Sequence, residues 1–133
     1  MKKYILIFII PFYLISCSKV VKNHTDPDDQ ELIKYFINDQ KKKLPVFINE
    51  KMNWIDVYSE NEKIIYVYKI NMLNLDDRVI NQFKKTNYSP SKINEICNTM
   101  LNTFYSDIEL EYKYINVNNR YLFDLNFKKS DCR

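Results

Sequence analysis

The chain of 133 residues carries a formal net charge of +3 and contains 46% hydrophobic residues, 28% charged residues and no glycine. Without glycine it has no glycine-rich phosphate loop and no G-x-S-x-G nucleophile elbow, so the enzyme classes that depend on those motifs are excluded. Once the lysines at its N-terminus are set aside the chain is close to neutral, which argues against nucleic-acid binding.

Residues 1–16 have the pattern of a bacterial lipoprotein signal peptide. Lys2 and Lys3 form a positive region, and an apolar stretch follows over Tyr4–Ile15. That stretch is shorter than the roughly 20 residues needed to span a bilayer and suits a signal h-region of about 7–15 residues. It ends in Leu14-Ile15-Ser16-Cys17, which resembles a lipobox. The sequence therefore predicts cleavage before Cys17 and acylation of that cysteine.

Two or more acyl chains on Cys17, palmitate among them, would hold the protein stably on membrane lipid. An ordinary secretory peptide fits less well because Leu14 and Ile15 are not the small residues its cleavage site needs, and an uncleaved anchor is the other alternative. By resemblance to known sorting behaviour, Ser18 favours the outer membrane of a Gram-negative cell, with the protein facing the periplasm. We expect residues 17–29 to form the lipidated N-terminus and a flexible tether, and residues 30–133 a single domain.

The first half of that domain predicts one helix and two strands. Asp28 or Asp29 can cap a helix that runs to about Lys43, with Leu32, Ile33, Phe36 and Ile37 on one face. Two strand-like runs lie between Met52 and Asn71. In the second, both faces are apolar at the centre, which predicts a strand inside the sheet.

The second half predicts two helices and a hairpin. Asp76-Asp77 open a short helix, and Ser89-Pro90 open a longer one that reaches about Tyr105 and places Cys97 on its buried face. Two alternating runs around Asn118-Asn119 then predict a hairpin.

These elements, in the order α-β-β-α-α-β-β, predict an α+β fold. We expect a two-layer sandwich in which helices cover one face of an antiparallel sheet. The sheet would have four strands, or five if Val46–Ile48 also pairs.

Two cysteines, Cys97 and Cys132, lie in the predicted domain. In an oxidising compartment an even pair indicates a disulfide. A metal or redox pair is the alternative, but the two do not form a C-x-x-C, and the only histidine of the chain, His24, falls in the predicted tether.

The acidic pairs give no catalytic or metal site. Asp28-Asp29 and Asp76-Asp77 stand where helix caps belong, and Glu109 and Glu111 share one strand face. No histidine, cysteine or third carboxylate is placed to complete a metal site, so we expect a protein that is not an enzyme and binds no cofactor.

Aromatic residues are the candidates for contact with a protein partner. Trp54, Tyr66 and Tyr68 are selected because tryptophan and tyrosine contribute strongly to interfaces when they are exposed. The alternative is that they are buried in the core.

The chain resembles a family of small exported proteins that includes the α/β type II secretion pilotins. The similarity rests on the lipobox and on residues 44–132, through Leu44-Pro45, Trp54, Tyr66-Val67-Tyr68, Ile96-Cys97, Tyr112-Lys113-Tyr114 and Asp131-Cys132. The chain has Asn118-Asn119 where the family usually has Asp-Gly. Pilotins are lipoproteins that carry secretin subunits to the outer membrane, so the resemblance implies an adaptor that binds a segment of a secretion complex. The second hypothesis is a lipoprotein inhibitor, such as an immunity or superinfection-exclusion factor, that binds a toxin, a lysozyme or a phage protein.

Overall fold

A computed structural model describes residues 29–104 and 107–132 of the chain. The predicted signal peptide, the predicted acylation site Cys17 and most of the predicted tether lie outside these residues. No helix within the described ranges has the length and apolar character needed to cross a bilayer.

The sheet has five strands, which lie side by side in the order in which they occur in the chain. They are β1 (Val46–Asn49), β2 (Met52–Glu60), β3 (Lys63–Ile70), β4 (Glu109–Ile115) and β5 (Tyr121–Lys128). The short run that began at Val46 therefore does pair, and β3 is the central strand, as its two apolar faces predicted. The α+β class and the order of the elements are confirmed.

The antiparallel arrangement expected for the whole sheet is wrong at its centre. β3 and β4 run parallel, with Lys63 beside Glu109 and Lys69 beside Ile115, whereas every other neighbouring pair is antiparallel. The reason is the connection between them. Two helices carry the chain back from the end of β3 to the level of its start, and such a crossover produces parallel strands, whereas a tight hairpin produces antiparallel ones.

The described helices are α1 (Asp29–Lys41), α2 (Asp77–Asn87) and α3 (Pro90–Thr99). Asp76 caps α2 as predicted, since its carboxylate accepts a hydrogen bond from the Arg78 N–H at 2.8 Å. Ser89 occupies the N-cap position of α3 but makes no side-chain cap bond. α3 is shorter than predicted and is followed by one 3₁₀ turn, Leu101–Thr103.

Two tight turns reach the left-handed backbone region without glycine. Asn61 and Glu62, between β2 and β3, have φ of 48° and 61°, and Asn119, between β4 and β5, has φ of 63°. Asparagine tolerates this region better than most residues because its short side chain can hydrogen-bond locally. The Asn118-Asn119 hairpin is therefore confirmed.

The main core lies between the helices and one face of the sheet, which we call the covered face. Its strand residues include Trp54, Tyr66, Tyr112 and Leu125, and the helices contribute Ile33, Phe36, Ile37, Ile96 and Cys97. Ile80 and Phe83 of α2 pack against the same cluster. All three described helices thus lie on one side of the sheet, as predicted.

The predicted disulfide is present. Cys97 on α3 is bonded to Cys132, whose Cα lies 5.6 Å from that of Cys97 and 35 residues further along the chain. It fastens the helix layer to the segment that follows β5.

Candidate interaction surfaces

The three aromatic residues selected as partner contacts are part of the core. Trp54 and Tyr66 are 0% exposed and Tyr68 is 1% exposed. The Trp54 indole N–H donates to the Asp56 carbonyl at 2.9 Å, so even its polar group is satisfied internally. These side chains offer no surface in this structure, and a direct role in binding is corrected to a structural one. These three side chains are buried because they lie on strands at the centre of the sheet, directly beneath the helices.

These residues belong to an aromatic ladder across the covered face. The ring centroids are 5.5 Å apart for Trp54 and Tyr66, 5.1 Å for Tyr66 and Tyr112, and 5.3 Å for Tyr68 and Tyr114. Desolvation raises the pKa of every tyrosine in the ladder well above that of a free phenol; they are Tyr66, Tyr68, Tyr112 and Tyr114.

The ladder hydroxyls differ in their hydrogen bonding. Tyr66 donates to the Met100 sulfur at 3.4 Å. The hydroxyls of Tyr68 and Tyr114 have no hydrogen-bond partner among the described residues. The ladder therefore contributes packing to the core. Burying the hydroxyls that lack a hydrogen-bond partner costs free energy of folding.

The acidic pairs behave as structural groups. Asp76 caps α2, and Glu109 and Glu111 both pair with the Lys63 ammonium, at 3.6 Å and 3.0 Å. The Glu111 hydrogen bond is the main cause of a raised Lys63 pKa. Within the described ranges no three His, Cys, Asp or Glu side chains are grouped so that they could hold a metal ion.

The face of the sheet away from these helices, the opposite face, has a small apolar cluster of its own. Ile65, Val67 and Ile115 are buried there, with Ile55 and Tyr58 packed against them. Charged residues frame the cluster, including the Lys63–Glu111 pair and Lys113, which lies beside Asp124 in the register. This face is much less apolar than the covered face.

Exposed apolar side chains concentrate at one end of the sheet, where β3 and β4 finish and β5 begins. Met72, Leu73, Val117 and Tyr121 are 41%, 59%, 36% and 57% exposed. We call these four residues the apolar end. The other end of the sheet, called the acidic end, has five acidic residues and three lysines: Glu60, Glu62, Asp107, Glu109, Asp131, Lys63, Lys128 and Lys129.

A buried asparagine joins the loops of the apolar end. The Asn116 amide donates to the Leu73 carbonyl at 2.9 Å, and its side-chain oxygen accepts from the N–H groups of Asn118 and Arg120. The Val117 N–H also donates to the Met72 carbonyl at 3.3 Å. The exposed side chains are therefore presented by two loops held together by hydrogen bonds.

The outer edge of β5 is partly closed by side chains. The Asn126 N–H donates to the Tyr88 hydroxyl at 2.9 Å, and the Lys128 N–H donates to the Asp131 carboxylate at 2.8 Å. An added strand would have to displace both groups, so β5 is a poor template for strand addition.

The described fold is similar to that of solved structures of exported proteins. The pilotin EpsS from the Vibrio vulnificus type 2 secretion system matches with a TM-score of 0.51 at 9% identity, over 77% of this chain and 89% of that chain. A Pseudomonas aeruginosa protein proposed to be secreted, PA3611, matches with a TM-score of 0.52 at 17% identity, over 83% and 100% of the two chains. The type II pilotin AspS from Vibrio cholerae matches with a TM-score of 0.48 at 11% identity, over 76% of this chain and 89% of that chain.

No protein-family model and no curated protein matches the sequence. At these identities the likeness to EpsS and PA3611, whose TM-scores exceed 0.5, establishes the fold alone. It agrees with the pilotin-like resemblance that the tyrosine and cysteine pattern indicated.

The sequence reasoning missed the apolar end. Met72-Leu73 and Val117 stand in stretches without helical or strand periodicity. The pattern that indicates this surface is the presence of large apolar residues between secondary-structure elements, where polar turn residues are usual.

Proposed function

We propose that this protein is a lipid-anchored adaptor of the pilotin type. It would bind a short segment of an outer-membrane secretion component in the periplasm and accompany it to the membrane. The observation that carries this proposal is the match to EpsS, which spans 89% of the pilotin chain. The lipobox ending at Cys17 supports it, because an acylated cysteine would supply the membrane attachment that such a role needs.

Binding without catalysis is consistent with the chemistry of the described residues. Asp76 caps a helix, Glu109 and Glu111 pair with Lys63, and the four tyrosines of the aromatic ladder are buried in the core. Among the described residues, the exposed aromatic side chains outside the apolar end include Tyr88, which is 38% exposed and whose hydroxyl accepts a hydrogen bond from the Asn126 N–H. The two most exposed are Tyr35 on α1 and Phe47 on β1, at 59% and 70%. Exposed aromatic residues are enriched at protein interfaces, so we place the partner contact at these two.

Photocrosslinking in the native cell envelope tests this proposal. A photoreactive amino acid replaces Tyr35 or Phe47 in separate variants, and exposed Lys85 on α2 serves as the matched control site. After irradiation, crosslinked products are extracted in detergent and identified by mass spectrometry. We expect a secretin or another outer-membrane assembly subunit at position 35 or 47 and not at position 85.

Two results would contradict the adaptor. One is equal crosslinking of the same abundant proteins at all three positions, which would mean that the products report proximity alone. The other is crosslinking only after challenge with a toxin, a lysozyme or a phage, which would instead support an inhibitory lipoprotein.

A further inference from the structure

We propose that the apolar end is the surface through which the domain rests on a phospholipid membrane with anionic headgroups. The proposal rests on the predicted anchor at Cys17 and does not depend on which protein partner is bound. Its starting observation is that Met72, Leu73 and Val117 are exposed together on adjoining loops. Isolated exposed apolar residues are ordinary, whereas a contiguous group indicates contact with another phase or molecule.

Hydrogen bonds fix the loops of the apolar end in a conformation that leaves these side chains exposed. Asn116 is only 5% exposed and uses both ends of its amide to tie the Leu73 carbonyl to the turn at residues 118–120. The Asn71 N–H donates to the Lys51 carbonyl at 2.8 Å, which fixes the start of the same loop to the turn before β2. An apolar side chain on a fixed loop loses little conformational entropy when it enters a membrane interface.

The charged residues around the apolar side chains are four basic and three acidic, which leaves a small positive excess. Lys51, Lys69, Arg78 and Arg120 lie at this end of the sheet. The acidic residues nearby are Glu50, Asp76 and Asp77, of which Asp76 is already engaged as the cap of α2 and lies 3.8 Å from the Arg78 guanidinium. Basic residues near an anionic membrane surface are attracted to it. Exposed apolar side chains beside a small positive excess suit an interfacial contact with anionic headgroups.

The predicted tether lets this end reach the membrane. About 12 residues separate Cys17 from the start of α1, and an extended chain of that length spans at most about 40 Å. Tethering raises the local concentration of membrane, so a contact too weak to act alone becomes effective. The patch is also small: four apolar residues fall well short of the roughly 20–30 residues per side of a stable protein interface, which favours a lipid surface over a protein partner.

Fluorescence quenching by brominated lipid tests the proposal. Trp54 is the only tryptophan and is buried, so the parent protein provides the background signal. Leu73→Trp and Val117→Trp place a reporter at the apolar end, and Ser59→Trp places the control next to Glu60 at the acidic end. Each acylated protein is reconstituted into vesicles of phosphatidylethanolamine and phosphatidylglycerol, with or without bromine on the acyl chains.

A side chain that enters the interface by about 5–10 Å comes within reach of the bromines, so we expect at least about a twofold loss of emission for Leu73→Trp and Val117→Trp. We expect little loss for Ser59→Trp. Adding Arg120→Glu should reduce the quenching at position 73, and replacing phosphatidylglycerol by phosphatidylcholine should do the same.

Equal quenching at positions 59 and 73 in a protein that floats with the vesicles overturns this proposal and leaves the anchor intact. A blue shift at position 73 without quenching by bromine also overturns it, because a second copy or another protein would then cover the apolar end. A parent protein that does not float with the vesicles contradicts both the anchor and the proposal.

Discussion

The covered face and the opposite face of the same sheet have different compositions. The covered face carries the aromatic ladder and packs under all three described helices, whereas the opposite face has a small aliphatic cluster framed by ion pairs. The covered face therefore contributes most of the stability. The large apolar side chains left exposed include the aromatic residues outside the core and those of the apolar end.

Alkaline pH should have the largest effect on the free energy of unfolding. The effect comes from the covered face, because the buried tyrosines among the described residues all lie there. Their pKa values are raised by burial, so between pH 10 and those values the unfolded chain loses protons that the folded chain keeps. The stability that the buried tyrosines contribute is therefore fully present below about pH 10. Above that pH the free energy of unfolding falls by roughly 1 kcal/mol or more per pH unit for each tyrosine.

Urea unfolding at a series of pH values from 8 to 11.5, with tyrosinate absorbance recorded in parallel, measures this effect. The loss of unfolding free energy per pH unit should be smaller in a Tyr68→Phe, Tyr114→Phe double variant. A folded protein whose ladder tyrosines ionise near pH 10 would contradict the burial of the ladder.

Adjacent isoleucines on β3 give the sharpest comparison of the two faces. Ile64 packs in the main core and Ile65 in the small cluster. We expect Ile64→Ala to lower the free energy of unfolding by about 4 kcal/mol and Ile65→Ala by about 2 kcal/mol, because a small cluster relaxes around a lost side chain more readily than a packed core does. The urea midpoints of the two variants measure the difference. Equal losses would mean that the opposite face is packed as tightly as the covered face.

Removing the disulfide should loosen the helix layer over the covered face. The loop that it closes spans 35 residues, for which the chain-entropy estimate is about 3–4 kcal/mol of stability. A Cys97→Ala, Cys132→Ser double variant should lose about that amount in urea unfolding, and adding a reductant should affect the parent protein only. A variant as stable as the parent would show that the bond adds little to the fold.

The ion pairs of the opposite face should contribute less than 1 kcal/mol. Lys63 reaches Glu111 at 3.0 Å, but both side chains are partly exposed, so solvent and salt screen the pair. Lys63→Met should therefore shift the midpoint only slightly, and less at 1 M salt than at low salt. Lys43→Met, which removes the exposed pair with Asp39 on the helix side, is the matched control. A loss of several kcal/mol for Lys63→Met alone would contradict this account.

Removing an unpaired hydroxyl from the covered face should have a similarly small effect, and it should be favourable. Tyr68→Phe and Tyr114→Phe each delete a buried hydroxyl that has no hydrogen-bond partner among the described residues, so we expect a gain of up to about 1 kcal/mol. Tyr66→Phe removes the contact with Met100 and should be neutral or slightly destabilising. A clear loss on Tyr68→Phe at neutral pH would indicate a partner for that hydroxyl, such as an internal water.

The sequence predicted local structure well because the relevant signals are local. Alternation in β4 and β5, the Asp76 cap and the Asn118-Asn119 turn each depend on a few neighbouring residues. The apolar character of β3 on both faces also placed it correctly at the centre of the sheet.

The remaining features depend on contacts between distant segments. The parallel pairing of β3 with β4 follows from the crossover through α2 and α3, which alternation within a strand does not reveal. The prediction that Trp54 and Tyr66 contact a partner is wrong because residue type alone does not distinguish an exposed aromatic side chain from a buried one. Here the helices that cover the sheet bury both. The apolar end is joined by hydrogen bonds from Val117 to the Met72 carbonyl and from Asn116 to the Leu73 carbonyl, 43 residues away in the chain.

The adaptor function is tested most directly by locating a secretin in cells that lack this protein. Outer-membrane and inner-membrane fractions would be compared in the parent strain, a deletion strain, and deletion strains that express either the parent protein or Cys17→Ala. The account predicts that the deletion depletes assembled secretin from the outer membrane, and that the parent protein restores it while Cys17→Ala does not. Normal secretin assembly in the deletion strain would contradict the adaptor function.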